Sequence, residues 1–211
     1  TGPLSVPDTG GWQTWTTIPR SGVSLPAGAQ VWRLVLDANG AWGWMGNVNW
    51  IRVTSAGGGG GSFTPFSGTA VALPGTVEAE NFDNGGAGVA YVDDSAGNLG
   101  GQYRATDVDV EAASEGGYNV GWMAAGEQLQ YTVNVSAAGS YDVEVRVASV
   151  GAGGTFHLEI NGANVTGPLS VPDTGGWQTW TTIPRSGVSL PAGAQVWRLV
   201  LDANGAWGWM G

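Results

Sequence analysis

Two tryptophans stand where an aromatic face can meet a ligand. Trp122 follows a glycine in "NVGWMAAGE" and enters a loop, and Trp177 begins "WQTWTTI" directly after "TGG", so both sit at strand edges beside glycines. Sugar rings present patches of C–H bonds that pack on aromatic faces, and their hydroxyls need amides and carboxylates to orient and satisfy them. Twelve tryptophans in 211 residues exceed what packing a small β-domain requires. Trp15, Trp32, Trp50 and Trp180 read as half-buried strand residues, which leaves Trp122 and Trp177 as the surface pair. "ANGAWGWMGN" places Trp42 and Trp44 in a glycine-rich loop just before Asn47, where they either extend a binding surface or cap the core.

"EAEN" sets Glu78 and Glu80 two residues apart, on one face if the segment is a strand. Such a pair can repel, serve as acid and base, or hold calcium, which takes six to eight oxygen ligands. The inventory for catalysis is thin. The single histidine, His157, lies mid-strand in "TFHLEI" and reads as structural. No nucleophile–base–acid set or phosphate-cradling glycine loop is present, and a glycosidase needs two carboxylates opposed across a cleft. Zero cysteines exclude disulfides and thiol chemistry. A net charge of −10 with no lysine opposes binding to nucleic acid or anionic membranes, which is driven by cationic side chains. No segment approaches the roughly 20 apolar residues of a membrane span. Nor does a basic-then-apolar leader open the sequence, so a mature or excised chain is expected.

The elements that must position these residues are strands. "GTVEAENF", "EQLQYTVNV", "SYDVEVRVASV", "GTFHLEINGANV", "WQTWTTI" and "AQVWRLVLDA" alternate apolar and polar residues. Glycine, proline, asparagine and aspartate punctuate them at the spacing of a sandwich. The fold expected is all-β, an antiparallel β-sandwich of jelly-roll type. Residues 1–46 recur without a change as residues 166–211. Residues 1–54 therefore read as the C-terminal part of one module copy and 55–74 as a glycine- and proline-rich linker. Residues 75–211 read as the N-terminal and central part of a second copy without its last strand, which residues 47–54, "NVNWIRVT", are placed to complete. Two identical segments compete for one position. The copy continuous with Val165 is expected to win it, and the other either to find a partner by domain-swapped self-association, to be disordered, or to mark the chain as a slice of a longer array.

The blocks "GTVEAENFD", "GGYNVGWMAAGEQLQYTVNV", "GSYDVEVRVAS", "GGWQTWTTI" and "GNVNWIRV", in this cyclic order, resemble the family 6 carbohydrate-binding modules. The resemblance implies a secreted β-sandwich attached to a glycoside hydrolase, binding polysaccharide or oligosaccharide in a loop cleft. β-1,3-Glucan is the expected ligand, with xylan, agarose or a small hydrolase activity as alternatives. By the family pattern, Trp122 and Trp177 (Trp12 in the other copy) sandwich a sugar ring, Asn47 hydrogen-bonds its hydroxyls, and Glu111 is the loop carboxylate. The resemblance favours structural calcium at Glu78 and Glu80, with Asn49 as a third side chain. A second family site on the concave sheet face uses a tryptophan after "GE"; here Gln128 follows Glu127.

Overall fold

The structure is a computed structural model that describes residues 3–20, 23, 31–53 and 62–209. They fall into two compact units, Thr1–Ala56 and Gly57–Gly211. The glycine run of the linker lies outside the described residues.

The second unit is a β-sandwich. Its strands are β1 Val71–Leu73, β2 Tyr91–Val92, β3 Val110–Ala112, β4 Tyr118–Val120, β5 Gln128–Val135 and β6 Gly139–Ser149. They continue as β7 Thr155–Ile160, β8 Ala163–Asn164, β9 Leu169–Ser170, β10 Gly176–Leu190 and β11 Gly193–Ala203. One sheet runs β1–β5–β11–β7–β8, with β2 added on β5 and β9 on β7; β6 and β10 form the facing pair, and β3–β4 a short ribbon. All pairings are antiparallel except β1 with β5. The alternation in the sequence explains the layers. In β7, Phe156, Leu158 and Ile160 are buried while Thr155, His157 and Glu159 turn outward. Strand β5 buries Leu129, Tyr131, Val133 and Val135, and these meet Val188 and Leu190 of β10. Each such side chain contributes about 1.5–3 kcal/mol by leaving water. The result is the all-β jelly-roll sandwich that the pattern requires. His157 lies on the outer face with Nδ1 2.9 Å from Asp202 Oδ1, and Arg198 donates to Glu159 Oε2 at 3.2 Å.

Two local expectations change. Val71–Leu73, placed in the linker, is a strand: it pairs with Val133–Val135 of β5, and Leu73 is buried. "EAEN" is not a strand but a 3-10 turn over Ala79–Asn81, so Glu78 and Glu80 do not share a face. Glu78 is exposed and Glu80 buried. Parity explains the difference. In a strand, Glu78, Glu80 and Phe82 would point the same way, and Phe82 is fully buried; the turn lets Phe82 enter the core without taking Glu78 with it.

In the first unit, the identical sequence takes another course. The described residues of the first copy form no strand, and neither do residues 47–53. Leu36 is 61% exposed, whereas its counterpart Leu201 is 2% exposed. Trp15, Trp32 and Trp50 are exposed as well. Strand β11 is hydrogen-bonded on both sides, by β5 and β7, and β10 pairs with β6. A two-stranded hairpin without such neighbours is marginal in water, so the strand state of this sequence depends on its partners.

Candidate binding site

Trp122 closes the ribbon β3–β4. It lies just past β4, after Gly121, in the left-handed region with φ 50°, a conformation that costs a bulky residue about 1–3 kcal/mol. The surroundings hold it there. Gly121 donates to the Asp109 carbonyl at 3.0 Å, and Met123 and Ala124 are buried on its other side. The loop is then tied twice: Ala124 N donates to Glu127 Oε2 at 3.1 Å, and Ala125 N to Asn204 Oδ1 at 2.6 Å. Glu127 is buried, and burial above all, with the Asp93 and Asp94 carboxylates nearby, pushes its pKa up to about 7. Carboxylate oxygens of Asp93, Asp94 and Glu127 lie within 4.8 Å of one another.

Trp177 is the second residue of β10 and is 41% exposed. Its neighbour Gln178 joins the two walls. Gln178 Nε2 donates to Glu111 Oε1 at 2.7 Å and to Asn119 Oδ1 at 3.1 Å. Its Oε1 accepts from Ser114 N at 2.8 Å. Glu111 and Asn119 are cross-strand partners on the ribbon, so both side chains share a face and reach the amide together. The ribbon tip is latched further. Ser114 Oγ donates to the Gln178 carbonyl at 2.9 Å and accepts from Trp180 Nε1 at 3.1 Å, and Glu115 pairs with Arg146 of β6. Trp180 is thus part of the latch that holds the site. Gln178 spends both amide protons on the protein, whereas Glu111 Oε2 has no partner among the described residues and remains an acceptor for a ligand hydroxyl.

Asn47 and Asn49 belong to the first unit. There Asn47 Nδ2 donates to the Trp12 carbonyl at 2.9 Å. Trp12, Trp44, Asn39 and Asn47 line a concavity of about 410 Å³. Both Trp42 and Trp44 stand well exposed, and neither is in a core. The unit therefore brings together Trp12, Trp44 and Asn47 of the expected set; the second unit brings together Glu111 and the strand carrying Trp177.

Glu80 suits a cation. Its carboxyl is buried beside exposed Glu78 and forms no ion pair among the described residues. Burial, reinforced by the Glu78 charge and opposed by backbone N–H groups, raises its pKa above the usual carboxylate value. Arg104 neutralises nothing there: its Nη1 donates to the Glu80 carbonyl at 3.2 Å.

Sequence reasoning missed Gln178, Asn119 and Ser114. The available signal was the amide between two tryptophans in "WQTW" and the "SEGG" turn eight residues before Trp122.

The profile of the carbohydrate binding module (family 6) matches residues 1–55 and 100–210. The chain is 32% identical over 186 residues to the clotting factor G alpha subunit of Tachypleus tridentatus, covering 86% of this chain and 23% of that protein. It is 29% identical over 167 residues to the β-agarase AgaA of Microbulbifer thermotolerans, covering 78% of this chain and 33% of that protein. The chain thus spans a third or less of these curated relatives. Among solved structures, the module CBM6cm-2 from Cellvibrio mixtus lichenase 5A, in complex with cellotriose, is 42% identical with a TM-score of 0.43. That match covers 46% of this chain and 79% of the other. Because the family profile matches well over half of the sequence, this chain belongs to the family 6 carbohydrate-binding modules.

Proposed function

We propose that the chain is a non-catalytic module that binds a β-glucan, preferentially β-1,3-linked, and brings an attached glycoside hydrolase to polysaccharide outside the cell. Rings stack on Trp122 and Trp177 while Glu111 Oε2 accepts a hydroxyl proton. The observation that carries this reading is the Gln178 amide. It fixes Glu111 beside the strand of Trp177 and leaves one carboxylate oxygen free, a few placed polar groups next to aromatic surface being the pattern of sugar sites. Calcium at Glu78 and Glu80 stabilises the turn through the buried Glu80 carboxylate and takes no part in ligand chemistry.

Calorimetry of the purified chain against soluble laminarin, xylan, cellulose and agar oligosaccharides tests the reading. Binding strongest to laminarin, lost in Trp122→Ala and Trp177→Ala without loss of fold, is the expected result. Binding to none of the four defeats it. A second reading, an agarose-specific module, draws on the similarity to a β-agarase and is identified by preference for the agar oligosaccharides. Sugar release by the chain would instead identify a hydrolase.

A further inference from the structure

The segment "NGAWGW" folds into the same turn twice. In the first unit Gly40 N donates to the Trp44 carbonyl at 2.9 Å and Gly43 N to the Gly40 carbonyl at 3.0 Å. In the second, Gly205 N donates to the Trp209 carbonyl at 2.7 Å and Gly208 N to the Gly205 carbonyl at 3.2 Å. Gly43 and Gly208 both have positive φ, 79° and 85°, which glycine adopts without steric cost. The preceding residues are a strand in the second unit and not in the first, so the turn is set by its own sequence. It presents tryptophans outward in both places: Trp42 is 84% and Trp207 64% exposed. A pre-formed turn loses little entropy when a ligand settles on it.

In the second unit the turn is fastened to the segments that carry the other two tryptophans. Ala206 N donates to the Ala152 carbonyl at 2.8 Å, and a side chain on Gly151 would come within 3.2 Å of Trp207 Nε1, so the indole edge rests on the Gly151 backbone. One oxygen, Asp173 Oδ1, accepts from Gly151 N and from Gly175 N, both at 2.9 Å, and Gly175 stands two residues before Trp177. On the other side Asn204, just ahead of the turn, holds Ala125 of the Trp122 loop. The turn that carries Trp207 is therefore tied by hydrogen bonds to the loop of Trp122 and to the segment that leads into Trp177.

We propose that this turn is an added sugar-stacking subsite, with the exposed indole of Trp207 carrying a further pyranose ring of the glucan chain held at Trp122 and Trp177. This rests on the β-glucan reading and adds to it a preference for longer chains. The turn's tryptophans carry no charge, and the ligand they suit is a neutral polysaccharide chain whose rings expose C–H faces.

The test is calorimetry with laminarin-derived oligosaccharides of two and six glucose units on the full chain and on Trp207→Ala and Trp207→Tyr. The unmodified chain should bind the hexasaccharide more tightly than the disaccharide. Trp207→Ala should weaken the hexasaccharide about tenfold, the effect of one lost stacking contact, and leave the disaccharide unchanged, which also shows that the fold survives. Trp207→Tyr should restore part of the loss. Wild-type hexasaccharide affinity in Trp207→Ala, or an equal loss for both ligands, overturns the subsite while the β-glucan reading stands. Binding of neither oligosaccharide by the unmodified chain overturns both.

Discussion

Gln178 Nε2 donates to Glu111 Oε1 across 2.7 Å, and this bond fastens the strand that begins beside Trp177 to the ribbon that ends at Trp122. Aromatic surface supplies affinity in a sugar site, but only if its geometry is held before the ligand arrives. The bond does that holding. Ser114 secures the same amide from the other end, so both ends of the Gln178 side-chain amide are tied to the ribbon.

Gln178→Ala should therefore weaken glucan binding about fivefold to tenfold with both tryptophans in place. The lost bonds are partly solvent-exposed, and the cost to stability should be near 1 kcal/mol. Glu111→Gln, which keeps the shape and removes the charge, should weaken binding by a comparable factor. If Gln178→Ala binds like the unmodified chain in calorimetry, the amide holds nothing that the ligand uses.

The readable part of this architecture was the part carried by long alternation. Strands β5, β6, β7, β10 and β11 all show it, because one face of each packs on the core, with buried or partly buried side chains. Short segments gave less. Val71–Leu73 is three residues long and sat behind a glycine run that reads as linker, yet its pairing to β5 makes it part of the sheet. The turn at Ala79–Asn81 imitated a strand through the spacing of Glu78 and Glu80. The signal against it was Phe82, whose parity put both carboxylates on the core side. Gln178 was hidden for a different reason. A register shift lies between Gly176 and Thr181, and the inward–outward alternation changes phase at Trp180 and Thr181, so the face of Gln178 does not follow from the rest of β10. Which of two identical segments becomes strands is not written in their letters; it was legible only through connectivity, and the copy continuous with Val165 is the one that forms β9, β10 and β11.

Glu127 provides a pH signature. Its pKa of about 7 in the folded chain compares with an ordinary 4.5, so the folded state holds the proton more tightly than the unfolded one. Below about pH 4.5 both states are protonated and the stabilising effect is complete. It is lost as pH rises towards 7, where the folded carboxyl ionises among Asp93 and Asp94. Between pH 5 and 8 the melting temperature of the native chain should fall relative to that of Glu127→Gln. Parallel curves for the two proteins in thermal denaturation would refute the assignment.

Calcium at Glu78 and Glu80 should appear as stability. A ligand bound only to the native state at a hundredfold excess over its Kd adds about 2.7 kcal/mol, or roughly 5–10 °C in melting temperature for a domain near this size. Chelator should remove that increment from the native chain and have little effect on Glu80→Gln. An unchanged melting temperature in chelator would show that the buried carboxyl needs no cation.

The sharpest experiment uses the repeated sequence itself. Leu36 and Leu201 are the same residue in the same 46-residue context, yet one is 61% and the other 2% exposed. Truncating a buried leucine costs about 2–5 kcal/mol, the lost transfer energy plus the cavity left behind, while an exposed one costs less than about 0.5 kcal/mol. Leu201→Ala should then destabilise the chain strongly in denaturant unfolding, and Leu36→Ala should be nearly silent. The double variant should match Leu201→Ala, because no described residue of the first copy belongs to the core. A different pattern has a definite meaning. If each single variant is nearly silent and only the double variant is costly, the two copies exchange, with the intact one taking the place between β5 and β7 whenever the other is damaged.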